Sequence, residues 1–200
     1  LASMFVSCKH ETIDLYELDD AKIYFQVQSY SSANGAVGYS NSTDYSFVGV
    51  NQNVTGLTFK ATIQMMGQVV DYDRECKITI DADSTTMVEG VDYEIDLDTL
   101  KIKAGQSKAT FGVRFLRSQN IKEKKQVLCL KLLPNKYFQV LEKYRSTNVW
   151  SNTTAKEMDG SRFAFYMSEI YQQPRRWGEV NAGTYFGQWT ATKYVFINDF

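Results

Sequence analysis

The sequence predicts a mainly β protein, an antiparallel sandwich followed by an aromatic-rich, partly helical C-terminal extension. Three observations predict it. From residue 22 to 133 the apolar residues recur with a period of two, the spacing of half-buried strands. Turn-forming clusters at Ser31–Gly35, Asn51–Asn53, Glu89–Gly90 and Ala104–Gly105 separate these runs. No amphipathic helix stands between them to make the crossovers that a parallel sheet requires.

Taken in order, residues 1–20 form a leading segment, 21–134 the sandwich and 135–200 an extension packed on it. Leu1–Ser7 is a largely apolar run ending in a small residue, and Cys8 follows, with Lys9, His10 and Glu11 directly after it. That pattern reads as a signal-segment remnant with a bacterial lipobox, which makes Cys8 the lipidation site. Phe5 and Val6 depart from the leucine and small residue a lipobox prefers, and a buried N-terminal strand with a free thiol is the alternative. The strands follow as Ile23-Phe25-Val27, Leu57 to Met65, Cys76-Ile78-Ile80, Tyr93-Glu94-Ile95, Leu100-Ile102, Ala109 to Phe115 and Leu128-Leu130-Leu132. Gly90 and Asp92 should build the turn before Tyr93, with the Tyr93 ring inward. Cys76 falls on an inward face and Cys129 opposite the Leu128–Leu132 face, so two free cysteines are expected rather than a disulfide.

Beyond Pro134 the texture changes. Asn135 to Tyr144 carries apolar residues spaced by three and reads as a short helix, Ser146 to Gly160 reads as a polar loop, and Ser161 to Ile170 as a further strand. Phe186, Trp189, Lys193, Phe196 and Phe200 recur at three and four, a helical stripe that Thr190 would cap. Residues 137–200 hold 15 of the 28 aromatics and all three tryptophans, so most of these rings are expected in a core.

Composition bounds the chemistry. The 200 residues carry 22 Lys+Arg against 23 Asp+Glu, which lacks the basic footprint of a general nucleic-acid binder. His10 is the one histidine, which leaves no imidazole for a metal cluster or a Ser–His–Asp triad within the sandwich. No G-x-S-x-G elbow, phosphate loop or H-E-x-x-H occurs, and no helix pattern follows Gly35-Ala36-Val37-Gly38 to cradle phosphate. A non-enzymatic protein is therefore expected. Ten acids against two bases in residues 71–98 include Asp71, Asp73 and Asp92, oxygen ligands for a Ca²⁺ ion at a sandwich edge. The compact D-x-D-x-D-G loop is missing, and eight bases against one acid in residues 101–125 would neutralise the acids as adjoining strands.

Gly67 to Arg74, Glu89-Gly90-Val91-Asp92-Tyr93 and Leu100 to Ser107 resemble the strand starts and glycine turns of a Calx-beta-like, immunoglobulin-like sandwich. With Val113 to Arg117, Pro134 to Phe138, Pro174-x-x-Trp177 and Phe186 to Tyr194, the chain over residues 20–197 is similar to a family of uncharacterised Bacteroidetes cell-envelope lipoproteins carrying a domain of unknown function. The resemblance implies an outer-membrane or cell-surface address through a lipid anchor, often beside glycan-import machinery. It implies no established activity and no functional residues.

Two functions follow as expectations. One is an accessory binding module for glycan capture, in which exposed Trp150 and Trp177 stack on sugar rings while Arg175 and Arg176 donate hydrogen bonds. Trp150 lies in a polar stretch and Trp177 in a Pro–Gly turn; alternatively Trp177 tucks beneath its own turn. The other is a structural or adhesive envelope protein, stabilised by calcium, that presents its loops to a surface protein.

Overall fold

The structure, a computed structural model, describes residues 21–30, 37–146, 156–175, 177 and 182–198. Two sheets form the body. In the first, β8 (Tyr93–Ile95) pairs with β10 (Lys108–Leu116), β10 with β5 (Gly56–Met66), β5 with β1 (Lys22–Phe25) and β1 with β12 (Gln139–Val140). In the second, the order is β4 (Ser42–Ser46), β15 (Arg162–Ser168), β11 (Gln126–Leu133) and β7 (Lys77–Ile80). Three two-stranded ribbons complete the set: β2 (Val27–Tyr30) with β3 (Val37–Ser40), β6 (Arg74–Glu75) with β9 (Lys101–Ile102), and β13 (Lys143–Ser146) with β14 (Lys156–Asp159). Pairing is antiparallel except for two edge strands, β12 on β1 and β4 on β15.

Alternation explains the sandwich. Ala61, Ile63 and Met65 of β5 and Ala109, Phe111, Val113 and Phe115 of β10 point to one side, and the residues between them face out. Leu128, Leu130 and Leu132 of β11 meet this layer together with Phe163, Phe165 and Met167 of β15 in one buried cluster. Rings bridge the two sheets: Phe25 and Phe163 lie 6.0 Å apart, Phe115 and Phe165 5.4 Å apart. Cys129 is buried outside this cluster, Cys76 is buried within it, and both thiols are free.

The Gly90–Tyr93 turn is built as expected. Gly90 adopts φ +76°, its N–H donates to the Tyr93 carbonyl, and Tyr93 is buried. Asp92 is fully buried and closes the loop, accepting from the Val88 N–H, the Ser118 hydroxyl and the Asn120 amide.

Several expectations for the C-terminal third are corrected. Residues 135–144 form no helix, because the Asn135 side chain accepts from the Tyr137 and Phe138 N–H groups and turns the chain into β12. The Gln139 and Leu141 N–H groups then donate to the Ala21 and Ile23 carbonyls. The stretch after Ser146 is not wholly loop, since β14 pairs back onto β13. The sandwich does not close at 134 either: β15 runs through the middle of the second sheet. Two helices follow, α1 (Ala182–Phe186) and α2 (Ala191–Asn198), with Thr190 Oγ1 accepting from the Lys193 N–H as a cap. Their stripe is not core, because Phe186 and Phe196 are exposed and Trp189 is half-buried. Among the described residues no helix is long and apolar enough to cross a membrane.

Candidate functional site

The outward face of the first sheet carries a polar concavity. Because β1, β5 and β10 bury alternate residues, Gln26, Lys60, Thr62, Gln64 and Lys108 line up on the solvent side. The β2–β3 ribbon rises beside them and contributes Gln28 and Tyr39, making a groove of about 380 Å³. Its floor is fixed by the sheet itself. Thr62 and Thr110 hydroxyls lie 3.3 Å apart across the β5–β10 pair, and Gln64 Nε2 donates to the Ser107 carbonyl at 3.0 Å. Tyr45 closes one wall, stacked on Phe59 with ring centroids 3.5 Å apart.

Three phenols gather at this face. The Tyr24 and Tyr144 rings tilt together at 4.8 Å, and Tyr144 Oη donates to the Phe25 carbonyl. Burial, reinforced by Tyr24 and Tyr39, pushes the Tyr144 hydroxyl up to about 12, and burial with Tyr39 raises Tyr24 as well. Tyr24 and Tyr144 therefore keep their protons across the physiological range. The groove thus offers neutral hydroxyl and amide groups with two ammonium groups, a donor and acceptor set suited to a hydroxyl-rich ligand.

Of the residues expected to make a ligand patch, Trp177 and Arg175 are described. Trp177 is buried, with its indole N–H donating to the Gly187 carbonyl at 3.1 Å and its ring 6.1 Å from Phe186. It is a satellite core beneath its own turn, because the Trp177 N–H also bonds the Pro174 carbonyl and folds the turn over the ring. Arg175 is exposed beside it. Cys8, Trp150 and Arg176 lie outside the described residues.

The three aspartates do not converge. Asp71 is exposed, and Asp92 is consumed by the loop it closes. Asp73 accepts from the Ala104 N–H and pairs with Lys101 and Lys103, each at 3.1 Å. Those bonds, the backbone one foremost, hold its carboxyl down at about 2. Among the described residues no three His, Cys, Asp or Glu side chains cluster as metal ligands. The acidic and basic stretches do meet as adjoining strands: Arg114 of β10 faces Glu94 of β8 and bonds it at 2.8 Å.

A second concavity, about 560 Å³, lies between α2 and the end of β15, lined by Gln52, Lys122, Glu169, Tyr171 and Thr192. Its carboxylate is already committed. Glu169 takes two bonds from Arg117, at 2.6 and 2.9 Å, and one from the Tyr171 hydroxyl. The same guanidinium donates to the Asn51, Val50 and Val54 carbonyls, so the pair pins the β4–β5 connection to the sheet.

Sequence reading missed both concavities. Lys60 and Lys108 belong to strands, and Gln26 to the link between β1 and β2, that meet only in the assembled sheet, and a lone outward polar residue in an alternating run carries no signal. The alternation itself was the usable clue: reading the outward set of three paired strands together would have found the groove.

A model of the family described as Domain of unknown function (DUF4843) matches residues 16–199. No curated protein matches the chain.

Proposed function

From membership of the DUF4843 family, which spans nearly the whole chain, we propose a non-enzymatic, lipid-anchored surface protein that captures glycan in the groove of its first sheet. One observation carries the reading: amide, hydroxyl and ammonium side chains line a sheet groove beside Tyr39. Sugar hydroxyls need that mixture of donors and acceptors, and a phenol ring gives the apolar sugar face a surface to cover. Tyr24 and Tyr144 beside the groove hold their protons, which favours binding over proton transfer. The Trp177 ring is buried and offers no face to a sugar, whereas the groove beside Tyr39 is open.

The address belongs to the same proposal. The run before Cys8 and the likeness to Bacteroidetes envelope lipoproteins support an outer-membrane anchor and a Calx-beta-like, immunoglobulin-like arrangement of the sandwich. Acyl chains contribute ~0.8 kcal/mol per buried methylene, so several anchor stably where one would not. Cys8→Ala expressed from the full-length gene should leave the membrane fraction; retention there as before would remove the anchor from the proposal.

Glycan-array screening followed by calorimetry tests the groove. Tyr39→Ala and Gln26→Ala should each weaken a bound glycan by about tenfold with folding intact, the loss of a central contact. Glycan binding that survives both substitutions, or no binding to any glycan, would leave a structural or adhesive role.

A further inference from the structure

Among the described residues of the sandwich, Arg74 is the one buried basic side chain without a carboxylate partner. It is 4% exposed, on the inward face that continues through Cys76, Ile78 and Ile80. Its Nε has no hydrogen-bond partner. Its Nη2 contacts the Met65 sulfur and donates to the Gln68 carbonyl at 3.2 Å, and Cζ sits 4.8 Å from the Phe138 ring centroid. Neighbouring acids do not serve it: Asp73 is bound by Lys101 and Lys103, and Glu75 faces solvent from the next position of β6. A guanidinium taken out of water without a carboxylate is costly, and folding alone gives no reason to keep it there.

The side chain reaches a cavity of about 440 Å³, a volume ordinary for small-molecule sites. Lys136 and Asp71 stand on its rim, so two positive charges face one negative. Tyr72, 53% exposed, lines the cavity and tilts toward Tyr137 at 6.4 Å. The Lys136 ammonium rests 4.7 Å from the Tyr137 ring centroid. The Asn135 turn that orients Lys136 and Tyr137 is tied to the Arg74 strand, because Asn135 Nδ2 donates to the Glu75 carbonyl at 2.8 Å.

We propose that the Arg74 pocket binds a carboxylate carried on a hydroxylated ring, the chemistry of an acidic sugar. The planar fork of Arg74 takes the carboxylate, and Lys136 adds charge at the mouth. Tyr72 covers the apolar face of the ring, and Asp71 accepts from its hydroxyls. The site shares no residue with the groove of the first sheet and does not depend on that groove binding anything.

The test is calorimetric titration of the 200-residue chain with glucuronate, glucose and acetate. Glucuronate should bind, with glucose and acetate about tenfold weaker or more, since each lacks one half of the recognised group. Arg74→Met, which keeps an apolar contact on Phe138, should weaken glucuronate by about tenfold to a hundredfold, the scale of a lost charge-assisted bond. Lys136→Met and Tyr72→Ala lie at the rim and should weaken it severalfold without moving the melting temperature, so the outcome does not rest on the core variant folding. Tyr39→Ala should leave glucuronate binding unchanged. The proposal is overturned by absent glucuronate binding, by binding that survives Arg74→Met or both rim variants, or by acetate binding as tightly as glucuronate.

Discussion

Among single residues, Arg117 and Glu169 carry the highest electrostatic stake. Their side chains are 6% and 2% exposed and meet at 2.6 Å, and the Glu169 bond, more than any other contact, raises the affinity of Arg117 for its proton. The net worth of such a pair over an apolar substitute is small, but breaking it strands a charge. Glu169→Ala should therefore cost about 3–5 kcal/mol in urea unfolding, with Glu169→Gln costing less because its amide oxygen still accepts. A loss under about 1 kcal/mol for the alanine variant would show that water reaches the pair and that it holds nothing. The two buried aspartate and arginine devices, Asp92 and Arg74, contrast with it. Asp92 has a donor for every role its loop asks of it, whereas Arg74 keeps an unpartnered Nε. Arg74 was within reach of sequence reading, since it sits two residues before Cys76 on the inward set. An arginine in an apolar alternation is a stronger signal than the acidic stretch beside it, whose Asp73 and Glu94 are paired across strands.

For elements, legibility followed hydrophobic period. β5, β10, β11 and β15 alternate over seven to eleven residues and are plain in the sequence. β4, Ser-Thr-Asp-Tyr-Ser, is an edge strand with few apolar residues, and β12 has two residues; both are strands only because a neighbour supplies hydrogen bonds. The spacing by three in residues 135–144 had the opposite fault, a helical period overruled by the Asn135 turn. One short connection holds three elements together. Gly160, between β14 and β15, accepts from the Phe25 N–H and donates to the Glu142 carbonyl, each at 2.8 Å. A Cβ there would collide with the Leu141 carbonyl and the Tyr24 Cβ, backbone and near-backbone atoms that cannot swing away. Gly160→Ala should thus destabilise by about 1–3 kcal/mol, the scale of forced overpacking. Thermal melting measures it, and a melting temperature equal to wild type would mean that β14 and β1 can part at no cost.

For the whole molecule, the decisive fact is where the chain returns. β12 comes back more than a hundred residues later to lie parallel on β1, and β15 to separate β4 from β11. A period of two identifies strands but says nothing of partners, which is why residue 134 looks like an end of the sandwich although β12 and β15 still have to join its two sheets. Without β15, β11 loses its partner from Gln126 to Lys131, and the buried cluster loses Phe163, Phe165 and Met167 opposite Phe115 and Leu128. Losing three large core side chains, at about 2–5 kcal/mol each, exceeds the 5–15 kcal/mol by which a domain is ordinarily stable once the strand's hydrogen bonds go too. A chain ending at Leu133 should accordingly show no cooperative thermal transition by circular dichroism. A chain ending at Gln173 keeps both sheets and forfeits only α1, α2 and the Trp177 satellite, so it should melt cooperatively. If the shorter chain melts as sharply as the longer, the first seven strands of the sequence pattern are a domain by themselves, and β15 is an addition to it.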